Sequence, residues 1–175
     1  TQRATVISTG DKDMAQLVSD HVTLVNTMTE TTMDRQGVID KFAVTPEQII
    51  DYLALMGDTA DNIPGVPKVG PKTASKWLNE FGSLDGVIAK ADKIKGKIGE
   101  NLRASLEQLP LSKALTTIKC DVDLEQSIEQ LQSIPADVPT LQKYFKEFEF
   151  KAWSDELGRT DSKTEKKSDA TPAEA

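Results

Sequence analysis

The chain has 175 residues, with 21 Lys/Arg against 28 Asp/Glu, a net charge of −7, one cysteine and one histidine. That length allows one sizeable core, or one core and a tail. Cys120 alone excludes an internal disulfide and a cysteine-based zinc site, and His21 alone excludes a histidine-rich one. A metal here must be held by oxygen, which points to magnesium, manganese or calcium. No long apolar run and no basic-then-apolar leader is visible, so no membrane span or export signal is expected, and a reducing cytoplasm is.

The first predicted element is a strand over Thr5–Ser8, broken by Thr9-Gly10-Asp11. "KDMAQLV" then reads as a short helix with Met14, Leu17 and Val18 on one face, and "VTLVN" (22–26) as a second β-branched strand. Strand, short helix and strand suggest a parallel α/β layer. Two strands are too few for a domain sheet, so further chain is expected to complete it.

After "TMTETTMDRQG" the pattern turns helical. Thr45 as N-cap, Pro46 at the first helical position and Gln48 closing a capping box start a helix whose apolar face is Ile49, Leu53 and Met56. Gly57 is its expected stop, and Asp58 and Asp61 follow on the exit loop. "NIPGVPKVG" is too rich in Pro and Gly for helix, and a second helix opens at Pro71 with Ala74, Trp77, Leu78 and Phe81 inward. Two helices joined by this Gly-bounded turn make a helix–hairpin–helix. The remainder to Trp153 keeps a helical rhythm in "GENLRASLEQL" and "PTLQKYFKEFEF", with a possible short strand at "TTIKCDVDL". Tyr144, Phe145, Phe148, Phe150 and Trp153 are expected to seal the C-terminal side of the core. The expected class is thus an α/β edge with a partial parallel sheet, followed by a mostly α-helical helix–hairpin–helix subdomain. Its parts are expected at 1–61, 62–153 and, as a disordered linker, 154–175.

Charge is unevenly placed. Residues 62–106 carry eight Lys/Arg and four Asp/Glu, between an N-terminal stretch with four against ten and a C-terminal one with nine against fourteen. A phosphate backbone responds to such a local basic patch rather than to the net charge. Asp11 and Asp13 follow a strand, at the sheet edge where open α/β folds keep ligands. One residue apart in extended chain, they would project to the same side, although Asp is also the standard N-cap for a short helix. Asp58 and Asp61 form a second pair, for which turn formation is the competing reading. Two carboxylate pairs could hold two cations about 4 Å apart, an arrangement that activates water and stabilises a leaving oxygen in phosphodiester hydrolysis. Gly65 and Gly70 suit a turn closed to other residues, and Gly70 leaves the first amides of the Pro71 helix without a side-chain cap, free for an anionic oxygen. Lys68, Lys72 and Lys76 add charge at the same mouth, and "KADKIKGKIGENLR" reads equally as its extension and as solvated surface. Contacts of this kind meet phosphate and sugar and do not read sequence.

"STGDKDMAQLV", "DYLALMGDTADNIPGVPKVGPKTA" and "TTIKCDVDL" together resemble the 5′-nuclease domain found in bacterial DNA polymerases of the first type, part of the flap endonuclease family. The resemblance covers residues 1–153 and corresponds to that domain's C-terminal half. It implies a nuclease acting at 5′ flaps and nicks in replication and repair with two magnesium (or manganese) ions, Asp11, Asp13, Asp58 and Asp61 being the matching metal set. It also implies duplex DNA binding by a hairpin, here Lys68, Gly70, Lys72, Thr73 and Lys76. A potassium ion is implied on the main-chain carbonyls of Gly65, Val66 and Val69. Lys68 departs from the family pattern, which has Gly there.

The family's other metal ligands, arch and most of its sheet lie upstream of the matched motifs, so this stretch by itself is expected to be inactive. The parent enzyme is expected to be a monomer in the bacterial cytoplasm. Two other readings remain open: a non-catalytic, sequence-independent helix–hairpin–helix DNA-binding module, and an interaction domain whose basic segment meets an acidic protein.

Overall fold

In the computed structural model residues 3–157 are described. The β-branched runs pair as their sequence suggests. Strand β1 (Thr5–Ser8) lies parallel to β2 (Val22–Asn26), with Ile7 opposite Leu24. A third strand, β3 (Thr31–Met33), returns antiparallel on β2, giving the order β1-β2-β3. The turn between them is made by Asn26, whose Oδ1 accepts from the Met28 and Thr29 amides at 2.9 and 3.3 Å. This hairpin was not foreseen, because "TETTM" carries no apolar alternation and the turn chemistry lies in one Asn. β1 is an outer strand, and its Val6 is 67 % exposed.

Asp13–Leu17 forms a 3-10 turn rather than an α-helix, burying Ala15 and, just beyond it, Val18. Asp34 then caps α1 (Arg35–Phe42) by accepting from the Gly37 amide at 2.9 Å. The capping box at Thr45 forms as expected: Gln48 Oε1 accepts from the Thr45 amide at 3.1 Å, and Pro46–Gln48 leads as a 3-10 turn into α2 (Ile49–Met56). Gln48 has a second task. Its Nε2 donates to the carbonyls of Leu78 and Gly82, at 3.2 and 2.8 Å, and so ties the start of one hairpin helix to the end of the other.

Helix α2 is more deeply placed than a single apolar face implies. Ile49, Tyr52, Leu53, Ala54 and Leu55 are all buried, and so is Asp51. The helix packs against α3 (Pro71–Phe81), α4 (Leu84–Ala89), α6 (Leu109–Thr116) and the two 3-10 turns. Asp51 is tolerated because its Oδ2 accepts from the Leu84 amide at 2.8 Å, capping α4 from outside, while Oδ1 meets Lys113 Nζ at 2.9 Å. A buried carboxylate without such partners would be costly. Ala74, Trp77 and Leu78 of α3 face the same core, which Leu102 of α5 (Gly96–Ala104) and Leu109 complete. No break in packing falls at residue 61: side chains from β2, the 3-10 turn, the hairpin and α5 share one core.

Among the described residues the chain divides into two compact units, one up to Val122 and one from Asp123 on. The strand expected in "TTIKCDVDL" does not form. Thr116 ends α6, and 118–124 is irregular, its Ile118 amide taken by the Gln16 side chain at 2.9 Å instead of by a neighbouring strand. In the second unit Asp137 caps α7 (Val138–Glu147), and residues 151–157 are helical again. The aromatics expected to seal the first core instead cluster among themselves. Phe150 and Trp153 lie 4.9 Å apart, Phe145 and Trp153 5.6 Å, and Tyr144 stacks on Phe148 at 6.1 Å. Tyr144, Phe148, Phe150 and Trp153 stay about half exposed. Of the expected linker, 154–157 is helical and 158–175 lies outside the described residues. No helix among the described residues is long and apolar enough to cross a membrane.

Candidate metal centre and nucleic-acid interface

The exit from α2 fixes the acidic site. Gly57 (φ 77°) turns the chain out of the helix, and Asp58 and Ile63 then exchange backbone hydrogen bonds of 2.8 and 2.7 Å. The pinch closes 59–62 into a tip, with Asn62 in the left-handed region (φ 56°) that Asn tolerates better than most. Asp58 is thereby directed inward, 4 % exposed, its Oδ1 accepting from the Ala60 amide at 2.9 Å, while Asp61 stands exposed on the rim.

Asp13 arrives from the sheet edge. Thr9 Oγ1 accepts from the Asp11 amide and Asp11 Oδ1 from the Asp13 amide, both at 3.0 Å, so the chain bends into the 3-10 turn and is not extended. The two carboxylates therefore do not project together. Asp11 turns onto the backbone, and Asp13 meets the other pair. Asp13, Asp58 and Asp61 each offer an oxygen within 4.8 Å of the other two. Gln16 anchors this turn: its Nε2 donates to the Asp13 carbonyl at 3.0 Å and to the Thr116 carbonyl at 2.9 Å.

Lys12 lies across the cluster. Its ammonium donates to Asp58 Oδ2 and stands 4.0 Å from Asp13 Oδ1. That bond holds the Asp58 carboxyl below its ordinary range and raises the lysine in return. Asp13 moves the opposite way. Burial first, then the negative charge of Asp11, push its carboxyl up, and its Oδ1 is buried with no hydrogen-bond partner. Three carboxylates offset by a single ammonium, with one buried oxygen left orphaned, keep a deficit of positive charge, so these residues fit a hard divalent cation such as magnesium or manganese. Lys12, Gln16 and Asp51 were not singled out from the sequence, where no spacing separates a lysine between two aspartates from a solvated one.

The second half of the same loop is built from backbone. Gly65 is required by a close approach, not by its dihedrals: a Cβ there would strike the Met56 carbonyl group and the Gly57 nitrogen. The crossing is held from α5, α6 and the turn before α6. Asn101 Nδ2 donates to the Pro67 carbonyl at 2.7 Å, Ser112 Oγ to Pro64 at 2.8 Å, and Gln108 Nε2 reaches the Pro64 and Gly65 carbonyls at 3.3 and 3.5 Å. The Val66 carbonyl accepts from the Val69 amide at 3.0 Å. Lys68 is exposed with φ 68°, a left-handed conformation that favours glycine.

Gly70, in contrast, has φ −112° and open space where a Cβ would stand, so its conformation is open to any residue. What its missing side chain provides is access. No side chain caps α3, Pro71 has no amide, and Thr73 and Ala74 both donate to the Gly70 carbonyl at 3.0 Å. The Lys72 amide meets no acceptor among the described residues and is the first N–H left for an anion, with exposed Lys72 and Lys76 and half-buried Thr73 around it.

Similarities to known proteins bear on this arrangement. A DNA polymerase I from Pseudomonas aeruginosa is 50 % identical over 165 residues, 90 % of this chain and 18 % of that polymerase. A 5′-3′ exonuclease from Aquifex aeolicus is 38 % identical over 149 residues, 85 % of this chain and 50 % of that protein. The crystal structure of the bacteriophage T5 flap endonuclease, described as a pseudo-enzyme-product complex with DNA and metal ions, superposes with a TM-score of 0.59 at 29 % identity, over 63 % of this chain and 42 % of that one. The chain thus spans half, or well under half, of the proteins it matches. The family described as "5'-3' exonuclease, C-terminal SAM fold" matches residues 44–139, more than half of the sequence. The loop that carries Asp58, Asp61, Gly65 and Gly70 lies inside that match, and the chain belongs to the 5′-3′ exonuclease family.

Proposed function

We propose that the chain is the metal- and DNA-holding part of a 5′-nuclease that hydrolyses phosphodiesters at 5′ flaps and nicks, in the setting of DNA polymerase I. The observation that carries this is the loop 57–70. Its first half presents Asp58 and Asp61 to Asp13, and its second half presents an uncapped helix start between lysines. Bound magnesium or manganese ions supply an activated water and charge stabilisation at the leaving oxygen. Asp13, Asp58 and Asp61 are the residues that would hold one. Asp11 orients Asp13 through its amide and adds to the local negative charge.

The Lys72 amide, Lys68, Lys72, Thr73 and Lys76 hold duplex phosphates, with potassium on the carbonyls of Gly65, Val66 and Val69, and backbone contacts of this kind leave base sequence unread. Work divides near residue 61, metal on one side and DNA on the other. The working form is a monomer of the bacterial cytoplasm.

The test has two arms. Fluorescence anisotropy with a nicked duplex should show binding that weakens with salt, and Lys72→Ala should make the slope of log affinity against log salt shallower by about one. Cleavage of a 5′-flap duplex, in a protein extended to the Aquifex relative's length, should require a divalent cation and be lost in Asp61→Asn. Salt-independent binding together with undiminished cleavage by Asp61→Asn would overturn the reading. The module without catalysis is favoured by one observation, the Lys12 ammonium already seated on Asp58. It predicts that Asp61→Asn changes nothing measurable.

A further inference from the structure

We propose that Lys12 is the resident counter-cation of the acidic site: it holds the site together without metal and must withdraw when a divalent ion binds. The inference rests on the metal reading of Asp13, Asp58 and Asp61. Lys12 is carried between Asp11 and Asp13 at the start of the 3-10 turn, and its ammonium bridges two elements far apart in sequence. Three carboxylates with oxygens within 4.8 Å repel one another, and Asp58 is almost fully buried. The Ala60 amide satisfies Asp58 Oδ1, and the ammonium satisfies Oδ2. Without it Asp58 would be a buried, half-satisfied anion, which is strongly unfavourable.

Two cations drawn to the same carboxylate oxygen repel each other strongly at contact distance. Magnesium sits about 2.0–2.1 Å from its ligand oxygens, and an ammonium kept on Asp58 Oδ2 would face it across a few ångströms. Lys12 has room to leave. Its side chain is 37 % exposed, and it lines a cavity of about 130 Å³ together with Thr9, Gly10, Asn26, Thr31 and Lys41. Binding a divalent ion therefore includes breaking the Lys12–Asp58 bond, so the lysine lowers the site's metal affinity while stabilising its metal-free form. Asp13 Oδ1, 4.0 Å away and without a hydrogen bond, is the ligand the lysine leaves incompletely neutralised.

The experiment is a calorimetric titration of the 175-residue chain with Mn²⁺, paired with thermal melts in EDTA and in saturating Mn²⁺. Lys12→Met keeps the stem and removes the charge, and Lys12→Arg keeps the charge. Lys12→Met should bind Mn²⁺ on the order of tenfold more tightly, melt lower than wild type in EDTA, and gain more on adding Mn²⁺. Lys12→Arg should stay near wild type. A purely structural lysine would lower the melt in EDTA without tightening Mn²⁺ binding, so unchanged or weaker affinity in Lys12→Met overturns the inference. If Lys12→Met does not fold in EDTA, recovery of its cooperative melt in Mn²⁺ supports the inference, and no recovery overturns it. Asp61→Asn leaves the lysine bridge intact and reports on the metal reading. If wild type binds no Mn²⁺, both fall. If wild type binds, Asp61→Asn weakens binding and Lys12→Met changes nothing, the lysine inference alone falls.

Discussion

The two ends of the loop 57–70 meet charge in opposite ways. At its start charge is met by side chains, and these are assembled from distant parts of the chain, Lys12 and Asp13 from the turn between β1 and β2 and Asp58 and Asp61 from the exit of α2. At its end the work is done by backbone, a helix start bare of any cap, with lysines as accessory charge. At the acidic end Asp58 is buried and already paired with Lys12 while Asp61 is exposed, so on the proposed reading a divalent ion would compete with the lysine. The basic end is open, and its amide waits for an anion. A side-chain site can be retuned by one substitution, whereas a backbone site changes only when the path of the chain changes.

The largest test separates the ends outright. In a protein of the Aquifex relative's length, Asp58→Asn should lower 5′-flap cleavage by about two to four orders of magnitude, because metal-assisted attack contributes several kcal/mol. Duplex affinity measured by anisotropy should stay within about twofold, since the hairpin's phosphate contacts are elsewhere. A parallel fall in both would show that the two ends act as one site.

A second test contrasts the two glycines of the hairpin. Gly65→Ala drives a Cβ into the Met56 and Gly57 backbone and should cost about 2–4 kcal/mol in urea unfolding. Gly70→Val meets open space at an ordinary φ, so stability should change by less than about 0.5 kcal/mol. Its DNA affinity should nevertheless drop several-fold, because a branched side chain stands before the Lys72 amide. An unfolded Gly70→Val would return that glycine to a conformational role.

Lys68→Gly sharpens the comparison within the hairpin tip. Relieving a left-handed lysine should stabilise the chain by about 0.5 kcal/mol, net of glycine's greater freedom when unfolded. Loss of one charge should weaken DNA binding and flatten its salt dependence by about one phosphate contact. Stability rising while affinity falls would mark Lys68 as retained for its charge.

The smallest effect belongs to a pair that serves neither end. Arg35 donates to both oxygens of Glu47, at 2.6 and 3.0 Å, joining α1 to the turn before α2. This holds the Glu47 carboxyl at about 2, down from 4.5. A depressed carboxyl stabilises the fold above its ordinary value, and that contribution is lost as pH falls from 4.5 towards 2. Glu47 is 62 % exposed, so screening by water and salt leaves the pair only a small contribution. Glu47→Gln should melt slightly lower than wild type at pH 7, and the gap should narrow through pH 4 and 3.

Much of this was legible locally. The strands at Thr5–Ser8 and 22–26, the capping box at Thr45, the stop at Gly57 and the inward face Ala74, Trp77 and Leu78 all follow from turn chemistry and periodicity. What was missed depends on neighbours. Asp51 was not singled out, and it is buried because α4 and Lys113 come to it. The "TTIKCDVDL" run looked like a strand, but Thr116 ends α6 and 118–124 is irregular, because Gln16 and not a sheet edge takes the Ile118 amide. The aromatic run of 144–153 looked like a seal on the core, and its rings pack on one another and stay about half exposed.

The sequence by itself determined where turns, caps and helix starts fall, and hence the hairpin with its exposed amide, because these depend on the conformational preferences of a few adjacent residues. It also determined that any metal would be held by oxygen, since Asp outnumbers every softer ligand type. Only the tertiary structure decided which aspartates meet, that Asp11 turns to the backbone while Asp13 joins Asp58 and Asp61, and that Lys12 lies among them. Distances between side chains on separate elements are set by how the core packs, and a packed core is a property of all its residues at once.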